Sequence, residues 1–271
     1  MDSQQRDPLI EGVIEAGRQV LAIYQRDFDI ATKADDSPLT EADMAAHHAL
    51  VALLGHHFPE VPVLSEEDAE VAFEQRRQWD RYFLIDPLDG TKEFINKNGE
   101  FTLNVALIAQ GEPVFGIVHA PVLGVTWWGA QGIGAFRREE GGDISIKVRP
   151  LPAPDTAPWH VVASRRHGSD ALEAFCARLP AHERVSMGSS IKLCLVAEGK
   201  ADLYPRFAPT CEWDTAAAHA VVRAAGGEVM NIETRLPLRY NQKASLLNPW
   251  FMVHAGPSDR WVRALDDSEA S

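Results

Sequence analysis

Between residues 101 and 136 the chain carries one formal charge, Glu112, yet Pro113, Pro121 and several glycines interrupt the stretch. A membrane-spanning helix needs about 20 consecutive apolar residues, so this segment predicts buried strands joined by turns. Phe101, Leu103, Val105 and Leu107 alternate with smaller or polar residues, the period of two expected of a strand, and runs 114–119 and 125–128 continue it. The expectation is an antiparallel meander. Upstream, Leu9, Ile10, Val13, Ile14, Gly17, Val20, Leu21 and Tyr24 recur at intervals of three and four and predict an amphipathic helix over 8–26. A second helix is expected from near Thr40, turning Met44, His48, Val51 and Leu54 inward.

A chain of 271 residues suits one large layered domain or two lobes. The four prolines of Arg149-Pro150-Leu151-Pro152-Ala153-Pro154-Asp155-Thr156-Ala157-Pro158 permit neither a helix nor a central strand. The boundary is placed there, giving an α+β lobe over 1–150 and an α/β lobe over 151–271. In the second lobe, apolar runs 159–163, 201–204 and 228–231 alternate with helical segments near 169–178, 190–198 and 214–225. Residues 258–271 are expected to fray.

With 45% hydrophobic and 24% charged residues, the chain is neither disordered, collagenous nor coiled coil. A net charge of −13, from 39 acidic against 26 basic residues, argues against nucleic acid or an anionic membrane as partner. Asp2, Arg6, Asp7 and Glu11 at the N-terminus do not read as a signal peptide. Cys176, Cys194 and Cys211 are odd in number and widely spaced, which suits no disulfide framework or zinc knuckle and points to a reducing cytoplasm, at most peripheral to the inner membrane.

The chemistry is concentrated in acidic motifs. Phe83-Leu84-Ile85-Asp86-Pro87-Leu88-Asp89-Gly90-Thr91 is an apolar strand ending in two carboxylates around a proline. Carboxylates and a main-chain carbonyl gathered there suit a hard cation such as Mg²⁺; a solvent-facing turn would use the same residues. Leu64-Ser65-Glu66-Glu67-Asp68 puts three acids at another strand end, or on a solvated face. Asp214 begins an Ala-rich helix and could simply cap it. Thr40-Glu41-Ala42-Asp43 fits a capping box. His47-His48 and His56-His57 fall on differing helix faces and do not make a transition-metal site.

Together the ordered segments Asp36-Ser37-Pro38-Leu39-Thr40-Glu41-Ala42-Asp43, Ser65-Glu66-Glu67-Asp68, Asp86-Pro87-Leu88-Asp89-Gly90-Thr91-Lys92-Glu93-Phe94 and Trp213-Asp214-Thr215-Ala216-Ala217 resemble the inositol monophosphatase superfamily. Within it, the resemblance is to the bacterial 3′(2′),5′-bisphosphate nucleotidases, over roughly residues 8–255. The resemblance implies a layered α-β-α-β-α sandwich. It further implies that Glu66, Asp86, the Leu88 carbonyl, Asp89 and Asp214 hold two or three Mg²⁺ ions, with Glu67 as a secondary candidate. Asp43 would support a further metal or, with the Thr91 hydroxyl, orient the attacking water; Gly90 and Thr91 would offer N–H groups to phosphate.

A phosphate monoester is dianionic, and bound cations are what make a nest of carboxylates able to receive it and to activate water. Three further clusters resemble segments with which such nucleotidases recognise a nucleoside bisphosphate: Ser189, Ser190 and Lys192; Arg206; and His167, with Asp214 also reaching the substrate. Each could equally be a cap or a surface charge. The resemblance implies hydrolysis of 3′-phosphoadenosine 5′-phosphate to AMP and phosphate, with a place in sulfur assimilation. An inositol or sugar phosphatase of the same superfamily, or a non-catalytic cation-binding regulatory protein, are the alternatives; monomer and homodimer both stay open. One departure stands out: Cys211-Glu212 precedes Trp213-Asp214 where relatives usually carry uncharged residues, and the extra carboxylate could tune affinity beside the metal site or merely face solvent.

Overall fold

The computed structural model describes residues 2–28, 30–32, 38–153, 156–163, 169–256 and 258–266. Helix α1 (Ser3–Tyr24) is followed by a short antiparallel pair, β1 (Ile30–Thr32) and β2 (Pro38–Thr40), and by α2 (Glu41–His57). Then come β3 (Val63–Ser65), α3 (Phe73–Arg76), β4 (Arg81–Asp89) and α4 (Thr91–Ile95). The meander is β5 (Thr102–Ala109), β6 (Glu112–Ala120), β7 (Val125–Ala130), β8 (Gly134–Glu139) and β9 (Gly142–Ile146). The remainder alternates: β10 (Trp159–Ala163), α5 (Asp170–Ala177), β11 (His182–Ser186), α6 (Ile191–Ala197) and β12 (Leu203–Arg206). It closes with α7 (Trp213–Ala224), β13 (Glu228–Asn231), β14 (Phe251–His254) and α8 (Asp259–Asp266).

Strands β3 to β9 form a seven-stranded sheet in chain order, antiparallel except for β3 beside β4. The second sheet has five strands in the order β11-β10-β12-β14-β13, with β10 parallel to β11 and β12. Three apolar clusters cement five layers. On one face of the larger sheet Phe83, Ile85, Leu103, Val105 and Ile117 pack under α1 and α2. On its other face Leu84, Ala106 and Val118 meet α6 and α7, which also cover Val162, Tyr204, Phe251 and Val253 of the smaller sheet. Trp159, Val161, Leu203 and Met252 on the far face lie beneath α5 and α8. The layered α-β-α-β-α sandwich is therefore as expected.

The alternation in β5 does not separate core from solvent, because both faces of its sheet are covered by helices. Helix α7 reaches the sheet closely where two strands lack side chains. A Cβ on Gly116 would stand 2.1 Å from the Ala217 carbonyl oxygen, and one on Gly129 2.8 Å from Val221 Cα.

Two sequence expectations are corrected. On α2 the inward face is Ala42, Asp43, Ala46, Leu50 and Leu54, while His48 is exposed and Met44 and Val51 are half-buried. Apolar residues ring this helix, so periodicity does not choose a face. Packing does: small Ala42 and Ala46 face inward, and Gly12 of α1 leaves room for Leu53, whose Cδ1 would lie 2.4 Å from a Cβ there. The C-terminal stretch expected to fray contains α8, which is held by buried Trp261, Ala264 and Leu265. Among the described residues, no helix is long and apolar enough to cross a membrane.

Candidate active site

A bulge in β4 aims its two carboxylates. Asp86 lies opposite Asn104 and Asp89 opposite Thr102, so three steps on β4 match two on β5. Residues three apart in a regular strand point to opposite faces; the extra residue brings Asp89 back to the side of Asp86. Asp214 arrives in the first turn of α7, and one carboxylate oxygen from each of Asp86, Asp89 and Asp214 lies within 4.8 Å of the others.

Among the described residues, no cationic side chain lies at hydrogen-bond distance from these carboxylates. Asp86 is 1% exposed. Its Oδ1 accepts the Leu88 N–H at 3.0 Å, while its buried Oδ2 meets no donor among the described residues, and Glu66 is its side-chain neighbour. Burial first, then the charges of Glu66, Asp89 and Asp214, hold its carboxyl well above the usual carboxylate range. Burial and Asp89 push Asp214 up to about 8, against the pull of the Cys211 N–H, which donates to Asp214 Oδ2 at 2.8 Å. Asp89 is anchored by Ser190, whose N–H and Oγ lie 2.6 and 2.7 Å from Asp89 Oδ2. The same Oγ is 2.7 Å from the Asp214 carbonyl oxygen and accepts from Asn104 Nδ2 at 2.9 Å.

Glu66 continues from β3, where its N–H donates to the Ile85 carbonyl at 3.1 Å, and reaches the same cluster electrostatically. Glu67 turns its N–H to Ser65 Oγ at 3.4 Å. That hydroxyl also meets His47 Nδ1 at 2.9 Å, so His47 braces the acidic turn, while His56 and His57 are exposed at the end of α2.

Thr40 and Asp43 form the capping box, with Thr40 N–H and Oγ1 donating to Asp43 Oδ2 at 2.7 and 2.6 Å. The other oxygen, Oδ1, accepts from Thr91 Oγ1 at 3.2 Å, and Thr91 Oγ1 is 3.4 Å from the Leu88 carbonyl oxygen. One side chain therefore both caps α2 and accepts from Thr91. Gly90 precedes α4 at φ 95, a left-handed conformation natural to glycine, and a Cβ there would sit 3.3 Å from the Glu100 carbonyl oxygen.

A cleft is lined by Asp89, Gly90, Glu93, Glu100, Ser189, Lys192, Arg206 and Asp214. Ser189 is left-handed at φ 44, and its buried Oγ has no hydrogen-bond partner among the described residues. Burial lowers the Lys192 amine to about 8, with Asp89 the largest opposing influence, and its Nζ is 5.8 Å from the Tyr204 ring centroid. Arg206 donates to the Pro209 carbonyl at 3.2 Å and keeps a buried Nε without a partner among the described residues. His167 lies outside the described residues.

Sequence reasoning missed Asn104 and Glu100. Asn104 fastens Ser190; its signal was a lone amide in an otherwise largely apolar strand, opposite Asp86 in register. Glu100 Oε2 accepts the Gly188 N–H at 2.8 Å, and no motif marks it. Glu212 is corrected on one alternative, since it does not face solvent. It is 2% exposed, and its Oε2 accepts the Asn241 N–H at 2.8 Å. Burial pushes its carboxyl up to about 7, against the Asn241 N–H, Arg76 and Lys243.

An all-oxygen donor set, a buried carboxylate oxygen that meets no donor among the described residues and mutual repulsion among acids fit a hard divalent cation. Five alternating layers with carboxylates converging beside a cleft of mixed charge define a class, the layered α/β proteins with an acidic metal-ion site. The chain belongs to the inositol monophosphatase family, whose pattern matches residues 3–261. It is 49% identical over 240 residues, 88% of this chain and 94% of the relative, to the 3′(2′),5′-bisphosphate nucleotidase CysQ of Salmonella typhimurium. The crystal structure of CysQ from Bacteroides thetaiotaomicron is similar at TM-score 0.81 and 42% identity, covering 93% of this chain and 97% of that one. The extragenic suppressor protein suhB of Bartonella henselae shares the fold at TM-score 0.78 and 21% identity, over 98% of each chain.

Proposed function

We propose that the chain is a Mg²⁺-dependent 3′(2′),5′-bisphosphate nucleotidase that hydrolyses the 3′-phosphate of 3′-phosphoadenosine 5′-phosphate to give AMP and phosphate. The observation that carries the reading is the convergence of Asp86, Asp89 and Asp214 within 4.8 Å, with Asp89 and Asp214 lining a cleft that Ser189, Lys192 and Arg206 also line. Basic side chains beside an acidic cluster that would hold cations suit a substrate with more than one phosphate. The nucleotidase relatives, at up to 49% identity, support the same substrate class.

Glu66, Asp86, the Leu88 carbonyl, Asp89 and Asp214 would hold two or three Mg²⁺ ions, with Glu67 as reserve. Bound there, Mg²⁺ supplies positive charge to the reacting phosphate and lowers the pKa of water. The chain's own residues do the rest. Asp43 accepts the Thr91 hydroxyl proton at 3.2 Å, which leaves the Thr91 oxygen lone pairs to accept from, and so orient, the attacking water. Gly90 and Thr91 amides receive the phosphate undergoing attack. Ser189 Oγ, Lys192 and Arg206 hold the second phosphate, with His167 and Asp214 completing the substrate contacts; among the described residues Ser189 Oγ makes no hydrogen bond and is a donor available there. Ser190 contributes by fixing Asp89. We place the border of the two lobes in the proline-rich stretch 149–158, between the last strand of one sheet and the first of the other, and assign the protein to the cytoplasm, where its three free cysteines stay reduced.

Phosphate release from 3′-phosphoadenosine 5′-phosphate and from inositol 1-phosphate, with Mg²⁺ and with EDTA, tests the reading. The bisphosphate is expected to turn over faster, and only with Mg²⁺. A preference for the inositol ester rejects the substrate; release undiminished in EDTA or in Asp89→Asn rejects the metal-centred chemistry.

A further inference from the structure

Arg76 ends α3, ten residues beyond Glu66, and is 2% exposed. Its guanidinium donates to Asn241 Oδ1, to the Lys243 carbonyl at 3.1 Å and to the Ala244 carbonyl, all neutral acceptors. Asn241 Nδ2 returns a bond to the Arg76 carbonyl at 2.6 Å. A buried guanidinium is costly without a carboxylate nearby. Glu212 provides that charge at one remove, because the Asn241 N–H donates to its Oε2 at 2.8 Å.

Glu212 is also the start of α7. Its carbonyl accepts the Thr215 and Ala216 N–H groups at 3.3 and 3.1 Å, and its own N–H donates to the Leu246 carbonyl at 2.8 Å. Asn248 Nδ2 adds bonds to the Cys211 carbonyl at 2.7 Å and to Thr215 Oγ1 at 3.1 Å. Residues 241–248 are thereby stitched to Arg76 on one side and to the first turn of α7, which carries Asp214, on the other.

We propose that Glu212 is a positioning residue for the cation site: with Asn241 and Arg76 it forms a buried clasp that fixes the start of α7, and so Asp214, relative to the β3–α3 segment that carries Glu66. The proposal rests on reading Asp86, Asp89 and Asp214 as divalent-cation ligands. Partners that orient metal ligands typically affect metal affinity by about 10–100-fold. Here the lever is the direction from which α7 presents its carboxylate.

The test is Mn²⁺ binding followed by electron paramagnetic resonance on the metal-free, substrate-free full-length protein, alongside turnover as Mg²⁺ is raised. Glu212→Ala is expected to weaken Mn²⁺ by about tenfold or more, with turnover recovering most of its loss at high Mg²⁺. Glu212→Gln, whose side-chain carbonyl still accepts the Asn241 N–H, is expected to restore Mn²⁺ affinity to within about threefold of wild type. Asn241→Gly keeps the left-handed φ of 59 and the N–H but loses both Arg76 bonds, and is expected to weaken Mn²⁺ as well. A Glu212→Ala protein that binds Mn²⁺ like wild type overturns the proposal, as does a Glu212→Gln protein as weak as Glu212→Ala. Should Glu212→Ala not fold, Asn241→Gly decides, and unchanged Mn²⁺ affinity there overturns it. Wild-type binding that Asp214→Asn leaves intact would instead sink the ligand reading beneath it.

Discussion

The first turn of α7 separates two buried polar regions that treat charge in opposite ways. On the acidic side, Asp86, Asp89 and Asp214 crowd within 4.8 Å, and burial together with mutual repulsion raises the carboxyls of Asp86 and Asp214. On the other side, Arg76, Asn241 and Glu212 alternate cation, amide and anion, and neutral carbonyls take up further donors. The first arrangement is unfavourable until a cation enters; in the second the protein supplies partners to most of the buried groups, Arg76 Nε excepted among the described residues. The contrast teaches where rigidity comes from. Ligands that repel one another cannot hold their own geometry, so neighbouring groups with balanced charge and directed hydrogen bonds must hold it for them.

Four substitutions break or sharpen this contrast. Asp214→Asn removes charge from the uncompensated side: turnover is expected to fall on the order of 10³-fold, comparable to deleting a strong electrostatic stabiliser, while the melting temperature in EDTA rises because repulsion is relieved. Steady-state kinetics and calorimetry check the two opposite signs. Arg76→Met attacks the balanced side and leaves Glu212 buried without its cation, so it is expected to lower stability by about 3 kcal/mol in urea denaturation. A stabilised Arg76→Met would show that the clasp is strained rather than balanced.

Gly116→Ala perturbs both regions at once by lifting α7 off the sheet, since the new Cβ would stand 2.1 Å from the Ala217 carbonyl oxygen; about 2 kcal/mol of destabilisation is expected by the same assay. The smallest effect is a control against α1, on the opposite face of the sheet. There Gly17 leaves no room for a Cβ, which would lie 2.4 Å from His119 Cδ2. Burial lowers His119 from 6.5 to about 4, with Arg18 adding to the shift and the Val125 backbone opposing it. Between these values the unfolded chain binds the extra proton, so the stabilisation is present above pH 6.5 and is lost as pH falls toward 4. His119→Gln is expected to flatten the acid side of the stability profile by roughly 1–2 kcal/mol at pH 5. An unchanged slope would assign that acid sensitivity to other groups.

Much of this architecture is written in local pattern. The period-two run from Phe101 to Leu107, the three-four spacing of α1 and the alternation after residue 159 each correspond to an element in the expected order. The acidic motifs were legible as well, because four of them stand in one order along the chain, although Asp-Pro-Leu-Asp-Gly alone also suits a solvent-facing turn. Less was legible where one residue has several possible surroundings. His48 was expected inside and is exposed, since the helical period of α2 leaves its inward face undecided until α1 packs against it. Residues 259–266 looked free to fray, because the cluster of Trp159, Phe175 and Met252 that receives Trp261 is assembled from distant parts of the chain.

Glu212 marks the limit most sharply. Its position two residues before Asp214 suggested the metals or solvent, and the fold gave it Asn241, 29 residues away, and through it Arg76. Sequence by itself determined the elements, their order and the carboxylates available for a cation, because propensity and periodicity act over a few residues. Only the tertiary structure decided how those carboxylates converge, through a one-residue bulge between Asp86 and Asp89 and the close seating of α7, and which buried charges balance one another. Coulomb and hydrogen-bond energies depend on distances through space, and separation along the chain does not set those distances.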